Sequence, residues 1–238
     1  MGSFRGLARQ AYRRMSRRWK QKRFEAFVQC VSPPSGATVI DLGGATGRFF
    51  HENRAIVEDL GLKIVIADID EQSLKVAEKN GLETLLLSES GFGEFQDGEF
   101  DVVFCNSVIE HVTLSKKDVW EYVDQDFAEK AYAMQSEFAK CIERIAKSYF
   151  VQTPHVRFPI ESHTWFPACY IVTANRKKHV QRLKKINKYW IKTSSPDFNL
   201  LDEERFRALF PGATKVYTNT VLGFPKELIA YRSYPSGS

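Results

Sequence analysis

The sequence is poor in cysteine, lacks any long apolar run, and has two stretches with no acid at all. Four cysteines in 238 residues, Cys30, Cys105, Cys141 and Cys169, stand far apart without a C-x-x-C pair. That spacing argues against a zinc module and a disulfide framework, and it fits a reducing, cytoplasmic compartment. No segment approaches the roughly 20 apolar residues that a membrane-spanning helix needs. No apolar segment of secretory type follows the first residues, and Gly6 stands where a myristoylation signal has Ser or Thr. No internal repeat is present. What is there is an ordinary globular composition, 43% hydrophobic and 26% charged, long enough for one sizeable core with a modest cap.

The first acid-free stretch is residues 1–23, which carry nine basic residues. Removing those nine from the 34 lysines and arginines leaves 25 against 29 acids, a net of −4, so a mildly acidic body follows a basic arm. Within the arm Phe4, Leu7, Ala8, Ala11, Tyr12, Met15 and Trp19 fall at helical spacing. A basic amphipathic helix of this kind can lie on an anionic membrane surface, touch RNA phosphates, or dock on its own domain. We therefore separate an arm, 1–24, from a domain, 25–235.

From residue 38 the domain alternates strand and helix. Apolar runs at Thr38–Asp41, Lys63–Ala67, Glu83–Leu87, Phe100–Cys105 and Tyr149–Gln152 read as strands. Helical stretches are expected over Arg48–Leu60, Gln72–Asn80, Asp118–Ala146 and Asp202–Phe210. The pattern predicts an α/β fold, a mostly parallel sheet covered on both faces. The last two strands, Thr214–Asn219 and Glu227–Tyr231, are joined too tightly for a helical crossover and should pair antiparallel. Residues 155–200 break the rhythm with aromatics, prolines and a second basic run, Arg176 to Lys192, and no acid lies between Glu161 and Asp197. An insertion after a strand's C-terminal end sits on the ligand-binding edge, so this segment reads as a cap over an acceptor site, or more plainly as a solvated basic helix.

The strongest motif is Val39-Ile40-Asp41-Leu42-Gly43-Gly44-Ala45-Thr46-Gly47, a buried strand feeding a Gly-rich turn that opens a helix. Glycines let backbone approach a ligand closely, and a helix N-terminus attracts an anion. The spacing is G-G-x-x-G, which does not meet the dinucleotide pattern G-x-G-x-x-G. Asp68, 21 residues after Gly47 at the end of the next strand, can accept both hydroxyls of a ribose, or alternatively cap the following helix. Glu89, shortly after the third strand, can accept from an adenine amino group, or be a solvated loop acid.

With Phe100-Asp101-Val102-Val103-Phe104-Cys105-Asn106-Ser107-Val108-Ile109-Glu110-His111-Val112, residues 36–154 resemble the class I S-adenosylmethionine (SAM)-dependent methyltransferases, in the branch where an S-x-I-E-H-V segment follows the fourth strand. Residues 149–166 are similar to a bacterial subgroup that includes glycan-related methyltransferases. The resemblance implies a Rossmann-like three-layer sandwich with a seven-stranded sheet, its last strand antiparallel, and SAM as cofactor. It implies that Asp41, Gly43, Gly44 and Gly47 form the turn on the methionine side, Asp68 the ribose acid, Ile69 an adenine wall and Glu89 the adenine acid, with Asn106 beside the sulfonium.

Methyl transfer from a sulfonium needs alignment above all; a hydroxyl acceptor also needs a base. The candidate bases are His111, His155, Glu161 and His163, where Glu161 could orient His163, and each has a plain structural or surface alternative. A metal held by His155, Glu161 and His163 is a weaker reading. Phe158, Trp165, Phe166, Tyr170, Tyr189 and Trp190 can line an acceptor pocket or form the cap's own core. The expected activity is methyl transfer to a small-molecule or glycan hydroxyl, at a membrane surface if the arm binds one. The alternatives are RNA methylation through the arm and residues 176–192, and a SAM-binding scaffold without turnover. No Asn/Asp-Pro-Pro-Tyr/Phe signature of base-amino methylation follows the fourth strand, which weighs against RNA.

Overall fold

The computed structural model describes residues 20–88, 95–115, 118–120, 126–159, 176–187 and 195–235. Seven strands form one sheet: β1 Thr38–Leu42, β2 Lys63–Asp68, β3 Glu83–Leu86, β4 Phe100–Asn106, β5 Ala146–Pro154, β6 Lys215–Val221 and β7 Phe224–Arg232. Their order is β3-β2-β1-β4-β5-β7-β6. The first five run parallel, and β7 pairs antiparallel with both β5 and β6. The expected Rossmann-like sandwich with a reversed last strand is the fold observed. The order reverses between β1 and β4, and in open α/β sheets ligands bind beyond the strand ends at such a switch point.

Strand alternation divides the core between two layers. On one face Val39, Val102, Phe104 and Phe150 meet Phe24 and Phe27 of helix α1 (20–31), together with Phe49 and Phe50. Phe104 stacks on Phe49 with ring centres 4.6 Å apart. On the other face Ile40, Val103, Tyr149 and Val151 meet Phe138 and Ile142 of α5 (Asp126–Ile145) and Phe206 of α7 (Glu203–Leu209). Apolar burial on both faces explains why the strands read as near-continuous hydrophobic runs.

Several boundaries differ from expectation. The helix expected over Arg48–Leu60 is two, α2 Arg48–Glu52 and α3 Arg54–Asp59. The Asn53 side-chain amide donates to the Phe49 carbonyl at 2.7 Å, and its own backbone N–H turns to Phe50. A polar side chain that competes for a helical carbonyl breaks the ladder there. Asp118–Ala146 is a short 3₁₀ turn, Asp118–Trp120, and then α5, with 121–125 outside the described residues. β5 extends to both sides of Tyr149–Gln152 because β4 pairs with it from Ala146 to Gln152 and β7 from Tyr149 to Pro154. Helix α4 (Glu71–Lys79) is capped by Asp70, whose carboxylate accepts from the Gln72 N–H and the Ser73 hydroxyl. Asp68 is thereby not the cap. Among the described residues no helix is long and apolar enough to cross a membrane.

Candidate functional site

At the switch point the chain leaves β1 and turns through Gly43–Gly47. Gly43 and Gly47 have φ of 74° and 64°, where a side chain is strained. Space is also closed to a Cβ. At Gly43 it would stand 2.5 Å from a Val108 methyl, and at Gly44 2.5 Å from Asp41 Oδ2. The turn leans on the tip of β2, with the Gly43 N–H donating to the Ala67 carbonyl at 2.7 Å. The Ala45 N–H donates to Asp68 Oδ2 at 2.8 Å, while the Asp70 N–H donates to Asp68 Oδ1 at 2.9 Å. The glycine turn and the acid of the neighbouring strand are thus in direct contact, although they are 21 residues apart. Each Asp68 oxygen keeps a lone pair for a further donor.

Asp41 is buried beneath the turn. Burial, and then the Asp68 charge, push its carboxyl up to about 8. Ile69 lies beside Asp68 with 59% of its surface exposed, an apolar side chain left at the mouth of the site. Asn106 ends β4, and its buried Oδ1 has no hydrogen-bond partner among the described residues. An orphaned buried acceptor costs about 1–3 kcal/mol unless a ligand or water satisfies it. A cradle that no Cβ could enter, an acid with lone pairs to spare, an exposed apolar wall and an orphaned amide oxygen fit an adenosyl amino acid.

The candidate bases separate. His155 is buried after β5, and its Nδ1 accepts the Arg157 N–H at 2.9 Å. Burial, and then the Arg157 charge, lower its pKa, so it is a neutral ring with one nitrogen already engaged. His111 ends a 3₁₀ turn, Ile109–His111, that follows β4, and its Nδ1 lies 3.7 Å from Asp197 Oδ1. Asp197 was not among the sequence candidates, and the one signal that marks it in the sequence is that it is the first acid after the long acid-free run. Glu89, Glu161 and His163 lie outside the described residues, as do Trp165, Phe166, Tyr170, Tyr189, Trp190 and residues 1–19. The metal reading, which needs Glu161 and His163, falls outside as well. Among the described residues no group of three His, Cys, Asp or Glu side chains could hold a metal ion.

Helix α6 (Arg176–Ile186) carries the second basic run. It buries His179, Val180 and Leu183 and exposes Lys177, Lys178, Arg182, Lys184 and Lys185. The Arg176 guanidinium sits 3.1 Å from the centre of the Phe127 ring and donates to the Val119 and Pro196 carbonyls.

A family model described as a methyltransferase domain matches residues 33–194. A search of curated proteins finds no match. Solved structures are similar in fold at low identity. One is the complex between the Haloferax volcanii Trm112 methyltransferase activator and a candidate methyltransferase, 13% identical, covering 93% of this chain and 92% of that one with a TM-score of 0.55. Another is the mycolic acid cyclopropane synthase CmaA1 complexed with SAH and CTAB, 15% identical, covering 80% and 60% with a TM-score of 0.50. A SAM-dependent methyltransferase from Aquifex aeolicus is 14% identical and covers 89% and 87%, with a TM-score of 0.47.

Proposed function

Because the chain belongs to the methyltransferase-domain family, we propose that it is a cytoplasmic SAM-dependent methyltransferase acting on the hydroxyl of a small-molecule or glycan acceptor. The observation that carries this reading is the 2.8 Å contact between the Ala45 N–H and Asp68. It brings the glycine turn and the acid at the tip of β2 together, which supports their holding one ligand. The cofactor supplies a methyl group already activated on a sulfonium. The chain's work is to hold it, align the acceptor and keep water out. With the cofactor bound, Asp68 would accept the ribose hydroxyls, Gly43, Gly44 and Gly47 would admit the methionine end, Ile69 would wall the adenine, and Asn106 would stand beside the sulfonium. Asp41 beneath the turn favours a cationic group above it, because a positive charge relieves the cost of ionising it.

Acceptor docking at an anionic membrane surface is part of the same reading. Helix α1 starts at the sheet's C-terminal edge. Arg23 pairs with Glu227, which is in register with Pro154 at the tip of β5, and Lys20 lies 3.9 Å from Glu52. Residues 20–23, the described end of the basic arm, are therefore anchored near Glu52 and the tip of β5, which supports this reading. Methyl transfer from labelled SAM to hydroxylated glycan acceptors, in solution and on vesicles containing phosphatidylserine, tests the proposal. Turnover stimulated by the vesicles is expected. Transfer to RNA instead, with steeply salt-dependent affinity, would replace it with the reading in which the cationic face of α6 tracks phosphates.

A further inference from the structure

We propose that the β6–β7 turn, Val221 to Pro225, is an apolar wedge that enters an anionic lipid bilayer beside the basic arm. The inference deepens the membrane part of the reading above and rests on it. Val221, Leu222, Phe224 and Pro225 flank Gly223 with no polar residue among them, and no acid lies between Glu204 and Glu227. Leu222 is 93% exposed and Phe224 52%. Val221 pairs with Phe224 across the hairpin, so their side chains share one face and Leu222 stands at the apex. The backbone makes this choice of residue costly. Leu222 and Gly223 both have positive φ, 52° and 80°, as a tight two-residue hairpin requires, and Asn, Asp or Gly is favoured at the first position of such a turn. A leucine there is disfavoured by its backbone and, in water, by its exposure as well. Burial among acyl chains removes the second penalty.

The register places this tip at the working edge of the sheet. Glu227 of β7 stands opposite Pro154, the last residue of β5. Phe224, three residues further on, therefore projects about 10 Å beyond that strand end, at about 3.3 Å per residue. Strands β1, β4 and β5 are parallel, so this is the edge at which ligands bind. The base of the hairpin is fixed. Glu227 is buried, pairs with Arg23, and accepts from Asn219 Nδ2 at 2.9 Å. The His155 N–H donates to the Lys226 carbonyl at 3.0 Å. Charge then identifies the occupant. Through Arg23 the arm meets the fold three residues below Phe224, and residues 1–23 carry nine basic residues and no acid. Attraction of a basic segment to anionic headgroups adds to the burial of apolar side chains in the same surface. The arm and the wedge thus supply the two contributions from neighbouring points of the fold.

The test is sedimentation of the full chain with vesicles of phosphatidylcholine and phosphatidylserine. Leu222→Asn is the informative variant, because asparagine tolerates the positive φ and keeps the turn. The wild type is expected to bind, less tightly as salt rises. Leu222→Asn should bind about 10-fold more weakly, with its melting temperature and S-adenosylhomocysteine affinity unchanged. Phe224→Ser should weaken vesicle binding in the same direction. The added fluorescence of Leu222→Trp should be quenched by brominated acyl chains. Vesicle binding that survives intact in both Leu222→Asn and Phe224→Ser overturns the wedge and leaves the arm alone as the membrane contact. No binding by the wild type overturns the wedge and the membrane part of the reading together. A wild type that self-associates, and becomes monomeric in Leu222→Asn, assigns the tip to a second copy of the chain and also overturns the proposal. If vesicle binding follows the tip while S-adenosylhomocysteine fails to bind, the cofactor reading has failed and the wedge has not.

Discussion

The two sides of the crevice are built differently. The cofactor side is local. A strand, a turn and the tip of the next strand supply Asp41, the glycines and Asp68, and their contacts are backbone N–H groups meeting carbonyls and one carboxylate. The proposed acceptor side is assembled from afar. Thr113, Gln135 and Arg176 reach across the chain to fix residues 196–199 against the end of β4. A backbone-built site tolerates almost no change in residue type, whereas a side-chain-built one can be retuned piece by piece. The first suits an invariant cofactor and the second a particular acceptor.

The sharpest way to break this contrast is Gly43→Ala. The residue has φ 74° and a new Cβ would stand 2.5 Å from Val108. Strain and overpacking together should cost about 2–4 kcal/mol in chemical denaturation, with S-adenosylhomocysteine affinity falling by more than about 100-fold. On the other side, Gln135→Leu removes the amide that bridges Ile109 and Asn199. It should cost about 1–3 kcal/mol, leave calorimetric S-adenosylhomocysteine affinity unchanged and abolish turnover. Equal loss of cofactor binding in both variants would erase the distinction between the two sides.

A smaller effect separates the two sides by pH. Burial, helped by Asp68, raises the Asp41 carboxyl from its ordinary value of 3.8 to about 8. Between those values the folded state holds a proton that the unfolded state has lost. The Asp41 contribution is therefore fully present below about pH 4 and is lost as pH rises through about 8. The melting temperature of Asp41→Asn should accordingly fall less than the wild type's between pH 5 and 8. A wild-type curve that declines no more steeply than the variant's would show that Asp41 is not held neutral. Least of all should Leu222→Ser matter to stability. Leu222 is 93% exposed at the β6–β7 turn, and the change should stay within about 0.5 kcal/mol in denaturant melts.

The same contrast explains what was legible in the sequence. The seven strands and the glycine turn are periodic or contiguous, so apolar runs and Gly spacing reveal them. Asp68 follows from its place at a strand end. The Asn53 break was not legible, because it depends on one amide choosing the Phe49 carbonyl over solvent. Nor was Asp197 as a partner of His111, 86 positions away, since its placement depends on Thr113, Arg176 and Gln135 acting together. His155, which sequence order put at the cleft, spends its Nδ1 on the Arg157 amide. Sequence order alone cannot show which ring nitrogen is already engaged.

The most direct test of the central claim is calorimetric titration of S-adenosylhomocysteine into the wild type and Asp68→Ala. The account predicts saturable one-site binding by the wild type and an affinity about 10–100-fold weaker in the variant, the equivalent of leaving buried ribose hydroxyls unpaired at about 1–3 kcal/mol. Equal affinities in the two proteins, or no heat of binding in the wild type, would contradict it.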